Sequence, residues 1–208
     1  MPTTRRLKTM LITSANPSEG KTTVSISTSV SMAISGMRTV LLEADMRRPR
    51  FSKTFDLDPD RGLSTCLVTN DSPMGHIHDS GVEGLSILPC GPIPPNPAEL
   101  LLTPRFEQVL TELQGEFDFV IIDSPPANSV ADALVLGRMA DGCLVVVRSG
   151  ETTRQDLRHA YRQLSEVGVN LLGTVLNHRD EPRRRYGYGY GRKYGYGYGY
   201  GYGYGRYS

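Results

Sequence analysis

The sequence Leu11-Ile-Thr-Ser-Ala-Asn-Pro-Ser-Glu-Gly-Lys-Thr-Thr23 decides the fold of this chain. It starts within an apolar, β-rich run at residues 9–13 and passes through a turn-forming segment. Apolar residues then recur at helical spacing over residues 22–34. Strand, loop and helix in this order are typical of a phosphate-binding loop. In such a loop, backbone N–H groups and the positive end of the helix surround phosphate oxygens.

This loop predicts a nucleotide site that includes a magnesium ion. Lys21 can reach the β- and γ-phosphates, and the hydroxyl of Thr22 is placed to ligate Mg²⁺. Ala15 stands where the usual pattern has its first glycine, which makes the motif less specific. The alternative is a Gly-Lys-Thr turn in an unrelated loop, which the flanking strand and helix disfavour. The predicted nucleotide-binding residues of the loop are Ser18, Glu19, Gly20, Lys21, Thr22 and Thr23.

The length and charge of the chain limit the class of protein. Its 208 residues suit one domain with a sizeable core and a short tail. Its 23 basic and 22 acidic residues give a formal net charge of +1. Such a balance gives no global attraction to nucleic acid or to anionic lipid, so nucleic acid is not an expected partner.

The cysteines and the apolar runs indicate the compartment. Cys66, Cys90 and Cys143 are odd in number and lack C-x-x-C spacing, which argues against a disulfide framework or a zinc site and favours a reducing cytoplasm. The longest apolar runs are far shorter than the ~20 residues that span a bilayer. The polar residues 1–8 do not resemble a signal peptide. We therefore expect any membrane attachment to come through a partner.

Short β-rich runs alternate with helix-compatible segments along the chain. The predicted strands are residues 9–13, 39–43, 85–88, 119–123, 142–147 and 172–176. The predicted helices are residues 22–35, 104–114, 131–138 and 153–167. Several strands are apolar at consecutive positions, as expected for strands buried on both faces of a parallel sheet. The prediction is an α/β, doubly wound, mostly parallel sheet with ligands at the carboxyl ends of its strands. The Pro-rich residues 89–97 are expected to form a rigid, extended connection rather than an SH3-type ligand.

Acidic residues end two of the predicted strands. Alternation along the second strand would point Glu43 and Asp45 the same way, and two carboxylates there can hold Mg²⁺ and a nucleophile. Asp123 ends an apolar strand, the placement of a carboxylate that holds Mg²⁺ through water. In isolation, each segment would be read as a cap or a turn. Together with the loop, they predict a magnesium-nucleotide site.

The C-terminal segment is largely a Tyr-Gly repeat. Ten of the eleven tyrosines lie within residues 186–207, and Tyr161 is the other one. Alternating glycine prevents a packed helix and supplies no aliphatic core, so we predict a domain at residues 1–180 and a disordered tail at residues 181–208. The tail is either an adhesive low-complexity segment or, beside a phosphoryl-transfer site, a phosphate acceptor. The candidate acceptors are Tyr186, Tyr188, Tyr190, Tyr194, Tyr196, Tyr198, Tyr200, Tyr202, Tyr204 and Tyr207.

Four motifs precede this tail in a fixed order. They read Ala-Asn-Pro-Ser-Glu-Gly-Lys-Thr, Leu-Leu-Glu-Ala-Asp-Met-Arg-Arg-Pro, Pro-Pro-Asn-Pro-Ala-Glu-Leu-Leu and Ile-Ile-Asp-Ser-Pro-Pro. The set resembles the cytoplasmic domain of the bacterial tyrosine kinases (BY-kinases) of exopolysaccharide and capsule synthesis, over residues 6–177 and the tail. The resemblance implies a P-loop ATPase fold like that of MinD and ParA, which uses ATP and Mg²⁺ to autophosphorylate its tail in trans.

The same resemblance implies partners and a location. The family works with a membrane-spanning chain-length regulator that is fused to the kinase or separate. It further implies a homo-oligomer when the tail is unphosphorylated, and a tyrosine phosphatase as a partner. The expected location is cytoplasmic, at the periphery of the inner membrane, through the membrane partner.

The resemblance also assigns roles to individual residues. Lys21 would bind phosphates, and Thr22 and Asp123 would serve the magnesium ion. Asp45, with Glu43, would help to hold Mg²⁺ and would activate the incoming tyrosine hydroxyl. Since phosphoryl transfer is mostly positioning and charge neutralisation, little covalent chemistry is required of these residues.

Three further residues have two interpretations each. Asn177 resembles the residue that reads adenine in related P-loop ATPases, although asparagine at a strand end is commonly a turn former. Arg47 and Arg48 would add positive charge near the phosphates or near a neighbouring subunit. Alternatively, both arginines are solvated surface residues.

This chain departs from the family pattern at three places. Glu43 stands where the family usually has aspartate, and the longer side chain would slacken the metal geometry. Ser18 replaces a loop glycine, which is unfavourable if that position needs a positive φ. The family has an arginine-containing helix before the first strand, whereas only residues 1–8 precede it here. Either the chain is a piece of a longer membrane protein, or its assembly differs.

Two other functions remain as alternatives. A switch of the MinD/ParA type would use nucleotide to control dimerisation, but those proteins carry an additional lysine where this chain has Asn16. A catalytically weak scaffold, whose tail binds partners, would explain Glu43 and Ser18. His76 and His78 are expected to be exposed loop residues, and a metal site there is disfavoured because we do not expect cysteine or carboxylate ligands to complete the coordination.

Overall fold

A computed structural model describes residues 7–178 as a seven-stranded sheet with helices on both faces. The strands are β1 (Thr9–Ser14), β2 (Thr39–Glu43), β3 (His78–Asp79), β4 (Leu85–Leu88), β5 (Phe119–Asp123), β6 (Gly142–Arg148) and β7 (Leu171–Asn177). The helices are α1 (Lys21–Ile34), α2 (Phe51–Phe55), α3 (Leu63–Thr69), α4 (Pro97–Leu101), α5 (Pro104–Glu116), α6 (Asp132–Met139) and α7 (Arg154–Glu166). A 3₁₀ turn covers Pro73–His76. The predicted tail and the first six residues lie outside the described residues.

The sheet confirms the predicted fold class. Its order is β3-β4-β2-β5-β1-β6-β7, and every neighbouring pair is parallel except β3 with β4. Each of the six predicted strands and four predicted helices has a counterpart, displaced by at most two residues at either end. The sequence reading missed α2, α3, α4 and β3. These elements have two to seven residues, too few for a hydrophobic repeat to show.

Consecutive apolar residues in the strands serve two different cores. Leu11 belongs to the cluster that packs against α3, α5, α6 and α7, whereas its neighbours Met10 and Ile12 belong to the cluster under α1 and α2. Val40 and Leu41 on β2 divide in the same way. Because side chains alternate across a strand, a sheet covered on both faces needs an apolar residue at every position. The continuous apolar runs follow from this requirement.

The position of the site follows from the topology. β1 and β5 are neighbours, yet α1, which follows β1, packs on one face, and α6, which follows β5, packs on the other. The chain therefore leaves the carboxyl ends of these strands in opposite directions. Open α/β sheets bind ligands in the crevice that such a divergence creates.

Two expectations need correction. His76 is buried at 7% exposure in the 3₁₀ turn, and burial lowers the pKa of its imidazole, while His78 is half-buried on β3. The prediction that both are exposed loop residues is therefore wrong. The extended connection predicted for residues 89–97 is one residue too long, because Pro97 is already the first residue of helix α4, where its missing N–H costs nothing.

The cysteines and helices bear on the expected compartment. Cys66, Cys90 and Cys143 are free, buried thiols. Burial raises the pKa of Cys66 to about 11 and those of Cys90 and Cys143 to about 12, so all three are protonated near neutral pH. In the part of the chain that the structure describes, none of the helices combines the length and the apolar character that crossing a bilayer requires.

Candidate nucleotide site

The loop between β1 and α1 has the backbone shape of an anion cradle. Ser18 has a φ of 66° and Gly20 a φ of 91°, both in the left-handed region. Glycine adopts that region freely, whereas a residue with a Cβ pays roughly 1–2 kcal/mol. The position of Ser18 therefore does need a positive φ, and the serine in place of the family's glycine carries strain.

Gly20 also leaves room for a neighbouring side chain. A Cβ built on this residue would lie 2.0 Å from Nδ2 of Asn177, far inside van der Waals contact. That Nδ2 donates a hydrogen bond of 3.0 Å to the carbonyl oxygen of Glu19. Asn177, at the end of β7, is thus packed against the loop. Its proposed contact with adenine stays a prediction.

Lys21 and two carboxylates meet at the carboxyl ends of β1, β2 and β5. The ammonium nitrogen of Lys21 lies 2.8 Å from Oδ2 of Asp45 and 3.9 Å from Oδ2 of Asp123. The Thr22 hydroxyl donates to Oδ2 of Asp123 at 2.8 Å. The sequence motifs therefore converge at one point, although Asp123 is more than one hundred positions from Thr22.

Ser25 is a member of the site that the sequence reading missed. Its Oγ lies 3.0 Å from Oδ1 of Asp123, and the serine is fully buried. Ser25 lies one helical turn after Lys21, so it faces the same side of α1. Lys21, Ser25, Ser29 and Ala33 recur every four residues and share one face of α1, and the small polar residues of this stripe were the available signal.

The buried carboxylate of Asp123 is held in an unfavourable environment. The residue is 2% exposed, and burial raises the pKa of its carboxyl group. Lys21, Thr22 and Ser25 oppose this rise by interacting with the charged form. A further cation would stabilise such a buried carboxylate, because burial disfavours a charge that its neighbours neutralise only in part.

Glu43 has different partners from Asp45. One oxygen of Glu43 accepts hydrogen bonds from the N–H groups of Arg50 and Phe51, and the other accepts one from Cys90 at 3.0 Å. β2 ends at Glu43, so strand alternation does not extend to Asp45 in the following loop. Burial raises the pKa of Glu43, and its three backbone bonds oppose that rise. These contacts fix the loop after β2, and a role of Glu43 at the metal stays a prediction.

The sequence left two interpretations of Arg47 and Arg48, positive charge near the phosphates or solvated surface residues. Arg47 forms a two-point pair with Asp132 on α6, with distances of 2.9 and 3.0 Å. Asp132 is fully buried and raises the pKa of the guanidinium. The backbone N–H of Arg48 donates to Oδ1 of Asp45 at 3.1 Å. Arg47, Arg48 and Arg50 all line the cavity next to Lys21.

The cavity has a volume of about 480 Å³, within the range of small-molecule sites. The loops after β1, β2 and β5 form its walls, together with His178. Four cationic side chains face a single lining acid, Asp45, which suits a polyanionic ligand. The predicted site residues that line it are Ser18, Gly20, Lys21, Thr22, Thr23 and Asp45.

Comparison with known proteins assigns this site to a family. An AAA domain family model matches residues 8–172. Tyrosine-protein kinase YwqD of Bacillus subtilis is 38% identical over 173 residues, which cover 83% of this chain and 73% of the relative. The chain belongs to the bacterial tyrosine kinase family. The solved kinase domain of Escherichia coli tyrosine kinase ETK superposes with a TM-score of 0.81 at 34% identity, covering 89% of this chain and 72% of that one.

The bacterial tyrosine kinase fold is shared with ATPases of a different type. The septum site-determining protein MinD of Pyrococcus horikoshii, solved with Mg-ADP, matches with a TM-score of 0.69 at 22% identity, over 81% of this chain and 69% of that one. At this level of identity, the likeness shows the fold alone. The family assignment therefore rests on the kinases.

Proposed function

We propose that this chain is an ATP-dependent protein-tyrosine autokinase that transfers the γ-phosphate of ATP to tyrosines of its own tail, between two copies. The observation that carries the proposal is the placement of Lys21, 2.8 Å from Asp45 and 3.9 Å from Asp123, beside a cation-lined cavity. Membership of the bacterial tyrosine kinase family and the ten tail tyrosines support it.

Lys21 would bind the phosphates of the nucleotide. In this structure, its charge is paired with Asp45. The N–H groups at the start of α1 and the positive end of that helix would contact the same oxygens. The predicted loop residues, including Ser18, Glu19 and Thr23, would act through their backbone. Arg48 and Arg50 would add positive charge at the rim.

Thr22, Asp45 and Asp123 fit a magnesium ion. They offer hydroxyl and carboxylate oxygens, the hard ligands that Mg²⁺ prefers, and the buried carboxylate of Asp123 is only partly neutralised. Bound there with the nucleotide, the ion would neutralise charge on the phosphates. The protein would supply the orientation, through the hydrogen bond from Thr22 and the contact of Ser25 with Asp123.

Asp45 is the best-placed group to receive the proton of the acceptor tyrosine. It lines the cavity, whereas Asp123 and Glu43 do not. The phenol of a tail tyrosine would enter from the open side of the cavity. Its oxygen would attack the γ-phosphorus as the bond to ADP breaks, and its proton would pass to Asp45.

The organisation of the whole chain is part of the proposal. Residues 1–180 would form the kinase domain, and residues 181–208 its acceptor tail. A membrane-spanning regulator of polysaccharide chain length would hold the domain at the cytoplasmic side of the inner membrane. Unphosphorylated copies would associate there, and a tyrosine phosphatase would restore that state.

Phosphopeptide mapping after incubation with Mg-ATP tests the activity. We expect phosphate on the tail tyrosines, and we expect Lys21→Met to abolish it without changing the circular dichroism spectrum, because Lys21 interacts with phosphate charge rather than with the core. Lys53→Met on α2 is the matched control. Binding and hydrolysis of ATP without phosphotyrosine would instead indicate a nucleotide switch of the MinD/ParA type. Normal phosphorylation by the Lys21 variant would place the site elsewhere.

A further inference from the structure

Glu19 is a buried acid in the phosphate loop, and the roles proposed above do not use its side chain. The residue is 3% exposed and lies between two residues in left-handed conformations, Ser18 and Gly20. A carboxylate next to the phosphate cradle would repel a nucleotide if it faced the cavity. The contacts of its two oxygens show that it faces the other way.

Both oxygens of Glu19 are occupied. Oε2 accepts a hydrogen bond of 2.8 Å from the N–H of Asn16, which closes the loop on itself. Oε1 accepts a hydrogen bond from the hydroxyl of Thr152, in the connection between β6 and α7. The main-chain oxygen of Glu19 accepts from Asn177, at the end of β7. One residue thus ties the loop to two distant segments.

The hydroxyl of Thr152 is itself oriented. Its oxygen accepts a hydrogen bond of 2.8 Å from the N–H of Arg148, so its hydrogen is free to point at Glu19. The next residue, Thr153, caps α7 through a reciprocal pair with Asp156. Glu19 is therefore bound to a residue next to a capped helix terminus, whose geometry is fixed, rather than to a loose loop.

We infer that Glu19 and Thr152 form a strap that holds the phosphate loop in its strained, binding-competent shape, which makes both of them positioning residues for nucleotide binding. The left-handed conformation is unfavourable for a residue with a Cβ, so Ser18 favours relaxation of the loop. A hydrogen bond to a charged group is worth enough to offset such a strain. The strap thus preorganises the N–H groups before the ligand arrives.

The inference rests on the proposed nucleotide function, and calorimetry with Mg-ADP separates the two. Thr152→Val removes the hydroxyl while keeping the shape, and we expect the Kd for Mg-ADP to rise about tenfold at a temperature where the protein is fully folded. Thr152→Ser should restore binding to within about twofold of the parent. Thr111→Val, which removes an exposed hydroxyl on α5, controls for loss of a threonine hydroxyl as such.

A double variant tests whether the two residues act as one unit. Glu19→Gln loses an acceptor, so it should also weaken Mg-ADP binding, but adding Thr152→Val should cause little further loss. A lower melting temperature with an unchanged Kd in Thr152→Val would reduce the contact to a structural one and overturn the inference. Losses that multiply in the double variant would also overturn it. A parent protein that does not bind Mg-ADP would overturn the proposed function and the strap together.

Discussion

Three anionic groups compete for the single positive charge of Lys21. Asp45 holds its ammonium at 2.8 Å, Asp123 lies at 3.9 Å, and the phosphates of a nucleotide would compete with both. The two acids are not equivalent, because Asp45 lines the cavity whereas Asp123 is 2% exposed behind it. Single substitutions can therefore separate their contributions.

Asp45→Asn and Asp123→Asn should each lower the turnover rate more than they weaken nucleotide binding. Both carboxylates serve charge that develops during transfer, so we expect kcat to fall on the order of 10²-fold with a small change in KM for ATP. Steady-state kinetics on the phosphorylation reaction measure this. Asp79→Asn on the edge strand β3 is the control. A raised KM with unchanged kcat would show that the acids only bind ground-state nucleotide.

Glu43 should make the free energy of unfolding fall as pH rises, which is the opposite of the usual effect of a carboxyl group. Burial raises its pKa above the ordinary value of 4.5, so the folded state holds a proton that the unfolded state has released. The contribution of this protonated group to the free energy of unfolding is fully present below pH 4.5, and it is lost as pH rises through the folded-state pKa. Relative to Glu43→Gln, which cannot ionise, the parent should lose unfolding free energy across that window. Urea unfolding at several pH values measures the difference, and parallel curves would contradict it.

A shorter acid at the same position tests the structural role. Glu43→Asp cannot reach all three backbone N–H groups, and a buried donor left unpaired costs about 1–3 kcal/mol. We therefore expect a loss of stability of that size, measured by urea unfolding at neutral pH. Unchanged stability together with higher activity would mean that Glu43 is a compromise at the metal instead.

At the scale of elements, the loop after β2 is joined to helix α6 by one ion pair. Arg47 binds both oxygens of Asp132, whose side chain is 1% exposed. Asp132 also lies in the first turn of α6, where the helix dipole favours a negative charge. The pair therefore connects the loop that bears Asp45 to the helix that follows β5, the strand that ends at Asp123.

Arg47→Ala should destabilise the protein by about 1–2 kcal/mol. It leaves a buried carboxylate without its partner, although the loss is reduced because Arg47 itself is partly exposed. Arg47→Lys should recover only part of the loss, since lysine cannot bind both oxygens in a fixed fork. Urea unfolding measures each variant. Arg48→Ala is the matched control and should change stability by less than about 0.5 kcal/mol, so equal effects of Arg47→Ala and Arg48→Ala would contradict the role of the pair.

At the scale of the whole molecule, we propose that the tail links phosphorylation to assembly. Each phosphate adds about −1.5 to −2 charges near neutral pH. The tail from Tyr186 to Ser208 has only three cationic residues, Arg192, Lys193 and Arg206, so a few modified tyrosines would make it strongly anionic. A phosphorylated tail would then be repelled by the phosphates of a nucleotide bound in a neighbour's site.

Deletion of residues 186–208 should leave ATP hydrolysis measurable and remove most autophosphorylation. Phosphorylation of the full chain should shift it from oligomer toward monomer, because the tail no longer enters a neighbouring copy. Light scattering of both phospho-forms with Mg-ADP at matched concentration measures the shift. Tyr161→Phe is the control, since this tyrosine packs against the core and its hydroxyl lies 3.3 Å from Thr174. Identical masses would reject the switch, and phosphate mainly on Tyr161 would reject the acceptor role.

The sequence by itself determined the layers of the fold and the place of the site. Strands such as β1 and β5 are continuous apolar runs, and the loop that ends in Gly20-Lys21-Thr22 is a local pattern, so each can be read within a short window. The need of position 18 for a positive φ was also foreseeable from a serine that replaces glycine. The short helices α2, α3 and α4 between β2 and β5 were missed because they span too few residues to show a helical period.

Only the tertiary structure decided which partner each polar residue takes. Ser25 meets Asp123 across 98 positions, Glu19 meets Thr152 across 133, and Arg47 meets Asp132 across 85. A role for Glu43 at the metal stays a prediction, whereas the bonds of its side chain to backbone N–H groups could be seen only in the folded chain. Apolar burial is nondirectional, so it leaves a repeating trace along the chain. A hydrogen bond is directional and joins two specific atoms, so its partner is fixed only when the folded sheet brings distant loops to the same edge.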